Sequence, residues 1–359
     1  MLTLLGEADR ALGGVASIAG FVPNPRLLVL PFLKIEAALS SRIEGTQTTP
    51  TQVFEAAVTP LDDLSAETRE VLNYLEAMEL GLESLRTGPL NMGLVRALHD
   101  QLLTEVRGAD RTPGAYRTNQ VFIAPRRQPI TEASYIPPPA LMVPSLMEDL
   151  ARFLQPHGEI PPLVQCALVH VQFEMIHPFF DGNGRLGRLI LSLMLIAWQY
   201  LPQPLLFLSA FLEKNRAEYY HLLAGVSERG DWEAWVAFFL RAVTAQSRQA
   251  ITAARSILGL RDELRSRLQR DGATSNALRM VDFLFENPYT TIPGVASQLQ
   301  VSVPTASKTM RDLEKRGFVA EITGRARRQK FCATVILDAI LKAAGTEDEA
   351  PPVQPRLGL

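Results

Sequence analysis

A polar, glycine-rich loop between two apolar segments constrains this chain more than any other feature. The loop is His177-Pro-Phe-Phe-Asp-Gly-Asn-Gly-Arg-Leu-Gly-Arg188, and it places an imidazole, a carboxylate, an amide and two guanidiniums within twelve residues. Residues 163–174 before it and 189–198 after it are mostly apolar, which predicts two buried helices. Because buried polar groups need partners, the sequence predicts a ligand at this loop.

The residue types of the loop are those that bind phosphate groups. Gly182 and Gly184 permit positive φ and Asn183 tolerates it, so successive backbone amides can form an anion-binding nest. A helix predicted to start near Arg185 adds its free N–H groups and its dipole. Arg185 and Arg188 are three residues apart and share one helix face, where they can hold a polyphosphate.

Two further side chains of the loop could serve a group-transfer reaction as a metal ligand and a general base. Asp181 offers hard oxygen atoms that suit Mg²⁺ bound to phosphates. His177 is close to neutral at physiological pH and can accept a proton from an attacking hydroxyl. Taken singly, such a histidine is usually structural, such a glycine run a turn and such an arginine pair a solvated surface. Their density here favours a phosphoryl- or nucleotidyl-transfer site.

The loop resembles the motif of the Fic family, H-x-F-x-(D/E)-G-N-G-R-x-x-R, at every fixed position. The resemblance implies a protein adenylyltransferase, which moves AMP from ATP to a Ser, Thr or Tyr hydroxyl of a target protein and releases pyrophosphate. It implies His177 as the catalytic base and Asp181 as the Mg²⁺ ligand. It also implies nucleotide contacts at Asp181, Gly182, Asn183, Gly184, Arg185, Leu186, Gly187 and Arg188. The kinase-like Doc branch carries Ala and Lys where this chain has Gly182 and Arg185, which favours AMP transfer.

A segment far upstream is similar to the inhibitory motif of the same family, (S/T)-x-x-x-E-(G/N). A helix predicted over Pro31–Glu44 is stopped by Gly45, and the motif falls on Ser40, Glu44 and Gly45. The helix dipole disfavours an acid in the last turn, so Glu44 either has a cationic partner elsewhere or is simply solvated. The resemblance implies that Glu44 pairs with Arg188 and blocks productive seating of the γ-phosphate.

The resemblance also covers a flap and an adenine pocket. Residues 119–124 are β-like, and a β-hairpin flap there would clamp an extended target segment and bring Ile123 and Ala124 near ATP. A plain structural hairpin is the alternative. The adenine pocket candidates are Tyr219, Tyr220 and Ser227. Core packing of the two tyrosines is an equally open interpretation.

The sequence changes character beyond a predicted helical connector and linker. The pattern over 276–341 resembles a winged-helix domain, with helix-turn-helix spacing followed by a basic hairpin at 324–328. Residues 308–330 contain eight Lys and Arg against three Asp and Glu, a net charge of +5. Basic charge beside a recognition helix is typical of DNA-binding modules, but winged helices also dock proteins, so both kinds of partner stay open.

The predicted fold class is therefore an all-α Fic core with a small β-hairpin flap, followed by a winged-helix (α+β) domain. Residues 1–30 are expected to be irregular with one short helix. The predicted divisions are an N-terminal helical region (1–105) with the inhibitory helix (31–45), the Fic core (106–245), the connector and linker (246–275), the winged helix (276–341) and a disordered tail (342–359).

Composition indicates the class of protein and the compartment in which it is expected. The 359 residues are 47% hydrophobic and 21% charged with a net charge of −2, which is ordinary for a globular protein. Two distant cysteines in apolar stretches predict buried thiols and a reducing cytoplasm. No secretion signal and no membrane span are evident. The expected partners are ATP, Mg²⁺, a target protein, the chain itself as a target, DNA and, by analogy with relatives, a second copy.

Two other functions fit the same residues. One is a DNA-binding regulator that uses the Fic domain only to sense a nucleotide, which predicts ATP and DNA binding without covalent AMP. The other is a different transferase or a hydrolase on the same core, such as an enzyme that removes AMP. The products formed from labelled nucleotide distinguish these functions.

Overall fold

Helices dominate the computed structural model, which describes residues 1–22, 24–123, 130–133, 135–156, 158–325 and 327–346. The first eight helices are α1 (Leu2–Phe21), α2 (Arg26–Ile43), α3 (Pro50–Ala56), α4 (Ala66–Ser84), α5 (Met92–Leu102), α6 (Val143–Phe153), α7 (Pro162–Ile176) and α8 (Asn183–Ala197). They are followed by α9 (Ser209–Lys214), α10 (Arg216–Arg229), α11 (Trp232–Arg270), α12 (Ser275–Glu286), β1 (Tyr289–Thr291), α13 (Ile292–Leu299), α14 (Val303–Lys315), β2 (Ala320–Glu321), β3 (Lys330–Cys332) and α15 (Thr334–Ala344). Single 3₁₀ turns lie at Leu61–Asp63, Ile130–Glu132 and Ala140–Met142.

The α7–α8 hairpin lies in the core, and the polar loop joins its two helices. Every α8 residue from Asn183 to Leu195 is buried, as is most of α7. The indole N–H of Trp235 on α11 donates to the Ala167 carbonyl at 2.8 Å, which ties α7 to the longest helix. The two buried helices predicted from the apolar runs are confirmed, and they fix both ends of the loop.

The N-terminal helix α1 is longer than the sequence predicts. The prediction of an irregular segment with one short helix is wrong, because the apolar residues recur at helical spacing and pack along α11. The Gly13-Gly14 pair does not break the helix. A Cβ on Gly14 would lie 2.7 Å from Cδ1 of Ile251, so this glycine allows the close approach of α1 to α11.

Helix α2 begins five residues before the predicted start at Pro31 and ends at Ile43. Pro31 removes one backbone donor, but the helix continues through it because Leu27, Leu28 and Val29 are already anchored in the core. Glu44 is the C-terminal cap residue, and Gly45 follows with a φ of 94°. The predicted glycine stop is therefore confirmed.

The predicted flap is only partly visible in the described residues. Residues 119–123 form no strand. A single antiparallel bridge joins Ile123 to Tyr135. Its two hydrogen bonds are 2.9 Å and 3.2 Å long. Ala124 lies outside the described residues. The Tyr135 hydroxyl donates to the Met175 carbonyl at 2.7 Å, so this bridge is fixed to the end of α7.

Helix α11 runs through the predicted boundary between residues 245 and 246. It packs on α1, α7, α12 and α15 along its length, so its second half is part of the packed structure rather than a free connector. The tail predicted from residue 342 also starts later, because α15 continues to Ala344 and buries that residue. Residues 347–359 lie outside the described chain.

The last elements form a compact module that packs on α2. Strand β3 pairs antiparallel with both β1 and β2, in the order β1-β3-β2. The helices and the β2–β3 pair lie where the winged-helix prediction expects them, and that assignment stays a prediction. Lys34 on α2 donates to the Asn287 side chain at 2.9 Å, and Lys330 on β3 contacts Glu55 on α3 at 2.8 Å. Within the described ranges, no helix is both long and apolar enough to cross a membrane.

Candidate functional site

The loop between α7 and α8 is shaped by its own residues. His177 ends α7 in the left-handed region, with φ 49° and ψ 60°, and Gly182 precedes α8 with a φ of 77°. The Asn183 amide spans the loop: its Oδ1 accepts from the Phe179 N–H at 3.0 Å and its Nδ2 donates to the Phe179 carbonyl at 2.9 Å. The Asn183 side chain thus holds the loop closed through both ends of its amide.

The loop enters α8 through one left-handed residue. Gly182 has a positive φ, but Asn183 and Gly184 are already helical, so the positive φ expected at Gly184 is wrong. The Leu186 N–H makes the first bond of the helix, to the Gly182 carbonyl at 3.0 Å. The earlier N–H groups of the helix are therefore not used by its own ladder and favour an anion.

His177 is placed as a proton acceptor. Its Nδ1 lies 3.3 Å from the Glu174 carbonyl, which can only accept, so Nδ1 carries the hydrogen and Nε2 keeps its lone pair. Burial lowers the pKa of His177 below its usual value, which favours the neutral ring. The imidazole is therefore in the form that takes up a proton at physiological pH.

Two residues that the sequence analysis did not assign hold the loop from behind. Arg117 is buried, and its Nε donates to the His177 carbonyl at 2.8 Å. His99 accepts from the Gly114 N–H at its Nδ1 (2.8 Å), so its Nε2 donates to the Asp181 carbonyl (2.9 Å). Burial lowers the pKa of His99 to about 4, which keeps this ring neutral. No local motif indicates these contacts, because the partners are far apart in sequence.

A charged cluster surrounds Asp181 at the mouth of the loop. Arg185 is buried beneath it, 3.4 Å from Glu70 and 3.7 Å from Asp181, and its Nε and Nη2 have no hydrogen-bond partner within the described chain. Arg107 lies 4.0 Å from the other Asp181 oxygen. A buried guanidinium with unused donors is costly, and an anionic ligand would satisfy it.

Asp181 fits the requirements of a magnesium ligand. Its side chain is 34% exposed, and one oxygen accepts from the Gly182 N–H at 2.7 Å, which leaves further lone pairs free. The described residues contain no group of three or more His, Cys, Asp or Glu arranged to hold a metal. A single carboxylate is sufficient for Mg²⁺ when phosphates and water complete its shell.

Arg188 makes three hydrogen bonds to the end of α2 and to its cap residue. Its Nη2 donates to Glu44 Oε1 and to the Ser40 carbonyl, each at 2.8 Å, and its Nε donates to the Ser40 hydroxyl at 2.8 Å. Burial would raise the pKa of Glu44, but the Arg188 guanidinium outweighs it and lowers that pKa. The pair is therefore ionised and charge-assisted at neutral pH. The predicted contact between residues 144 positions apart is present.

The Glu44 carboxylate rests directly on Gly184, in the first turn of α8. A Cβ built on Gly184 would overlap Oε1 of Glu44. The positive charges of Arg188 and Arg185 both act on this carboxylate. An anionic side chain thus occupies the point where the cationic groups of the site converge.

Changing Gly184 to alanine is expected to displace the Glu44 carboxylate and weaken its bond to Arg188. Overpacking of this kind costs about 1–3 kcal/mol of stability. The cost should shrink markedly in a Glu44→Gly background, because the clash is then absent. Urea unfolding of the four proteins of this double-mutant cycle measures the coupling. Equal costs in both backgrounds would contradict the described contact.

Glu174 is a partly buried acid with one fully buried oxygen, and the sequence analysis assigns it no role. One of its oxygens has no hydrogen-bond partner in the described chain, and it faces Gly187, where a Cβ would lie 2.7 Å away. Burial raises the pKa of Glu174 to about 8, an effect that Arg188 partly opposes. An acid within the apolar run before the loop is the sequence signal that could have indicated it.

Glu174→Gln tests this assignment through pH. A folded pKa raised from 4.5 to about 8 means that the folded chain binds more protons than the unfolded chain between these values. Stability contributed by protonated Glu174 is therefore present below pH 4.5 and is lost as pH rises towards 8. Glutamine mimics the protonated acid, so the variant should match wild type near pH 5 and exceed it near pH 8. Each pKa unit corresponds to about 1.4 kcal/mol, and thermal melting across this pH range would measure the difference.

The other predicted contacts are placed differently. Tyr219 is 1% exposed and its hydroxyl lies 2.9 Å from His170 Nε2, so the core-packing interpretation describes it. Tyr220 is 41% exposed, and its hydroxyl lies 3.5 Å from the Ile43 carbonyl beside Glu44. Ser227 is exposed and interacts with the Tyr135 hydroxyl. Leu186 is fully buried, and its side chain cannot reach a nucleotide.

Comparison with known proteins agrees with this geometry. Residues 2–83 match the Fic/DOC family N-terminal region, and residues 89–195 match the Fic/DOC family itself. The chain belongs to this family. The second match contains the whole loop from His177 to Arg188, and the first contains Ser40, Glu44 and Gly45.

The curated relatives of this Fic chain are similar over limited regions. A probable protein adenylyltransferase of Aquifex aeolicus (strain VF5) is 39% identical over 64 residues, which are 18% of this chain and 20% of that protein. The protein adenylyltransferase Fic of Drosophila melanogaster is 32% identical over 127 residues, which are 35% of this chain and 23% of that protein. The chain thus spans less than a quarter of the length of these relatives.

Solved structures extend the likeness over most of the fold. A Fic family protein from Desulfovibrio desulfuricans G20 has a TM-score of 0.58 at 24% identity, over 92% of this chain and 95% of that chain. Fic-1 from C. elegans (residues 134–508) has a TM-score of 0.52 at 20% identity, over 71% and 74% of the two chains. At these identities the likeness concerns the fold alone.

Proposed function

We propose that this chain is a protein adenylyltransferase that Glu44 holds in an inhibited state. The observation that carries the proposal is the Glu44 carboxylate itself, an anion seated on the first turn of α8 and bonded to Arg188 at 2.8 Å. The helix start and the guanidinium that hold this carboxylate offer the same donors to the polyphosphate of ATP. Relatives named protein adenylyltransferase support the same activity.

His177 would act as the general base of the transfer. Nε2 of His177 takes the proton from a Ser, Thr or Tyr hydroxyl of the target as the hydroxyl oxygen bonds to the α-phosphorus of ATP. The bond between the α-phosphorus and the oxygen bridging to the β-phosphate breaks, and pyrophosphate leaves. AMP remains on the target oxygen, so atoms and charge balance without a further reactant.

The residues at the start of α8 would hold the phosphates during this step. The free N–H groups of the first turn and the unused donors of Arg185 stabilise charge on the α- and β-phosphate oxygens. Arg188 binds the γ-phosphate once Glu44 has left it. Asp181 would hold Mg²⁺, which when bound supplies positive charge to the α- and β-phosphates.

Inhibition follows from competition for one guanidinium. Arg188 makes its three bonds to Ser40 and Glu44, so a γ-phosphate cannot be seated while α2 stays in place. ATP could still bind in another orientation, with its α-phosphate turned away from attack in line with the leaving group. The rate of AMP transfer then falls because the α-phosphate is misoriented, whereas the affinity for ATP changes little.

The target would be a protein, and the chain itself is one candidate. The backbone around Ile123 pairs with Tyr135 near the end of α7, which suits an extended target segment lying beside His177. A second copy of the chain and a location in the cytoplasm stay expectations from the sequence.

The proposed activity is tested with ATP labelled at the α-phosphate. The Glu44→Gly protein is incubated with labelled ATP, Mg²⁺ and a cell lysate, and label on protein is followed with the intact mass of the chain. Covalent AMP that depends on His177 supports the proposal. ATP binding without any covalent product would instead favour the nucleotide sensor, and release of AMP from labelled protein would favour the reverse reaction.

A further inference from the structure

The outer side of α14 is a cationic stripe. The helix buries Ala306, Thr309, Met310 and Leu313 against its module. Lys308, Arg311 and Lys315 lie on the side away from these residues, at spacings of three and four, and all three are exposed. At 1.5 Å per residue the stripe is about 10 Å long.

These cations are not neutralised by neighbouring acids. In the part of the chain that the structure describes, Lys308, Arg311 and Lys315 have no ion-pair partner, whereas Asp312 on the same helix is bonded to Arg316 at 2.9 Å. Glu314 accepts from the Glu321 N–H at 3.4 Å. The chain as a whole carries a net charge of −2, so the positive charge is local to this surface.

A second basic segment belongs to the same module. Arg325, Arg327 and Arg328 are exposed in the loop that joins β2 to β3, and none of them has an ion pair within the described residues. The Glu321 carboxylate accepts from the Gly324 N–H at 2.8 Å and so shapes the start of this loop instead of neutralising it. The contact between Glu314 and Glu321 joins the loop's strand to the end of α14.

The stripe borders a wide and polar groove of about 680 Å³. Pro304 is the one apolar side chain among the lining residues described. The other lining residues are Gly272, Thr274, Asn276, Thr305, Ser307, Lys308, Thr309, Arg311, Asp312, Lys315 and Arg316. A protein interface usually has an apolar or aromatic centre, which this groove lacks. Hydroxyls, amides and unpaired cations are instead the groups that contact nucleic acid backbones.

We propose that this module binds duplex DNA, with the stripe of α14 against the major groove and the β2–β3 loop on the adjoining backbone. The major groove is about 12 Å wide and admits a helix. The six unpaired cations, Lys308, Arg311, Lys315, Arg325, Arg327 and Arg328, neutralise phosphates and supply most of the affinity. This binding is independent of AMP transfer, so failure of either proposal leaves the other standing.

Fluorescence anisotropy of the full chain with a labelled 20-bp duplex tests the proposal. Six phosphate contacts predict a slope of log K against log salt of about −5, which is roughly a 10³-fold loss of affinity between about 50 and 200 mM KCl. Changing Lys308, Arg311 and Lys315 together to alanine should reduce the slope by about three and weaken binding at low salt by at least 10²-fold. The stripe is exposed, so the melting temperature should not change.

The matched control changes three exposed arginines elsewhere, Arg10, Arg86 and Arg255, to alanine. This control alters the net charge equally and should bind the duplex like wild type. Equal loss in the control and stripe variants would overturn the proposal, as would equal affinity for a single strand and a duplex. Absence of duplex binding by wild type at about 50 mM KCl would also overturn it and would favour a protein-docking module.

Discussion

Replacing Glu44 by glycine is expected to raise AMP transfer by about 10- to 10²-fold. Arg188 loses the carboxylate that holds it at 2.8 Å and can then bind the γ-phosphate. The gain arises from orientation of the α-phosphate, for which misplacement by about 1 Å costs roughly 10²-fold. ATP affinity should change little. Incorporation of labelled AMP at fixed ATP and Mg²⁺, first visible as self-modification, measures the effect.

Three companion variants make this test specific. Glu44→Asp should be intermediate, because its shorter side chain reaches Arg188 poorly. Glu44→Gly combined with Arg188→Ala should lose the gain, because the γ-phosphate then has no cationic partner. Glu159→Gly, at an exposed loop position, is the matched control and should transfer AMP at the wild-type rate. If Glu44→Gly is no faster than wild type on any target, α2 is structural and the inhibitory proposal is wrong.

The conformation of the loop is predictable because its sequence pattern is local. Twelve residues with fixed spacing impose the helix ends at His177 and Gly182 and place Arg185 and Arg188 on the helix that follows. The burial of α7 and α8 follows from their apolar composition alone. The contact between Glu44 and Arg188 was predictable only from the resemblance to a family, because no periodicity links two residues 144 positions apart.

The side chains that hold the loop in place could not be predicted, because only the tertiary fold brings them next to it. Arg117 and His99 bond backbone carbonyls of the loop from other parts of the chain, and a single Arg or His in a sequence gives no sign of such a partner. The sequence predicts a positive φ at Gly184, yet this residue is helical, and its missing side chain leaves space for the Glu44 carboxylate. The sequence leaves Tyr219 open between an adenine contact and core packing, and its burial against His170 favours core packing.

Changing His177 to alanine is expected to lower AMP transfer by about 10² to 10⁴-fold, the usual contribution of a general base. The Glu44→Gly background is the suitable starting point, because transfer is then fast enough to measure the loss. ATP binding should persist, since the proposed phosphate contacts lie on α8 and Asp181 rather than on the imidazole. The hydrogen bond of His177 Nδ1 is long, at 3.3 Å, so thermal stability should change little.

The pH profile separates the role of a base from a structural role. Burial lowers the pKa of His177, so transfer with the ring intact should rise with pH and level off below the usual histidine pKa of about 6.5. The His177→Ala protein should lack this rise, because its remaining activity depends on solvent rather than on the ring. His221→Ala, at an exposed position, is the matched control and should keep both rate and profile. Near-normal transfer by a clean His177→Ala preparation would mean that another group removes the proton, and among the side chains on the loop only Asp181 could replace it.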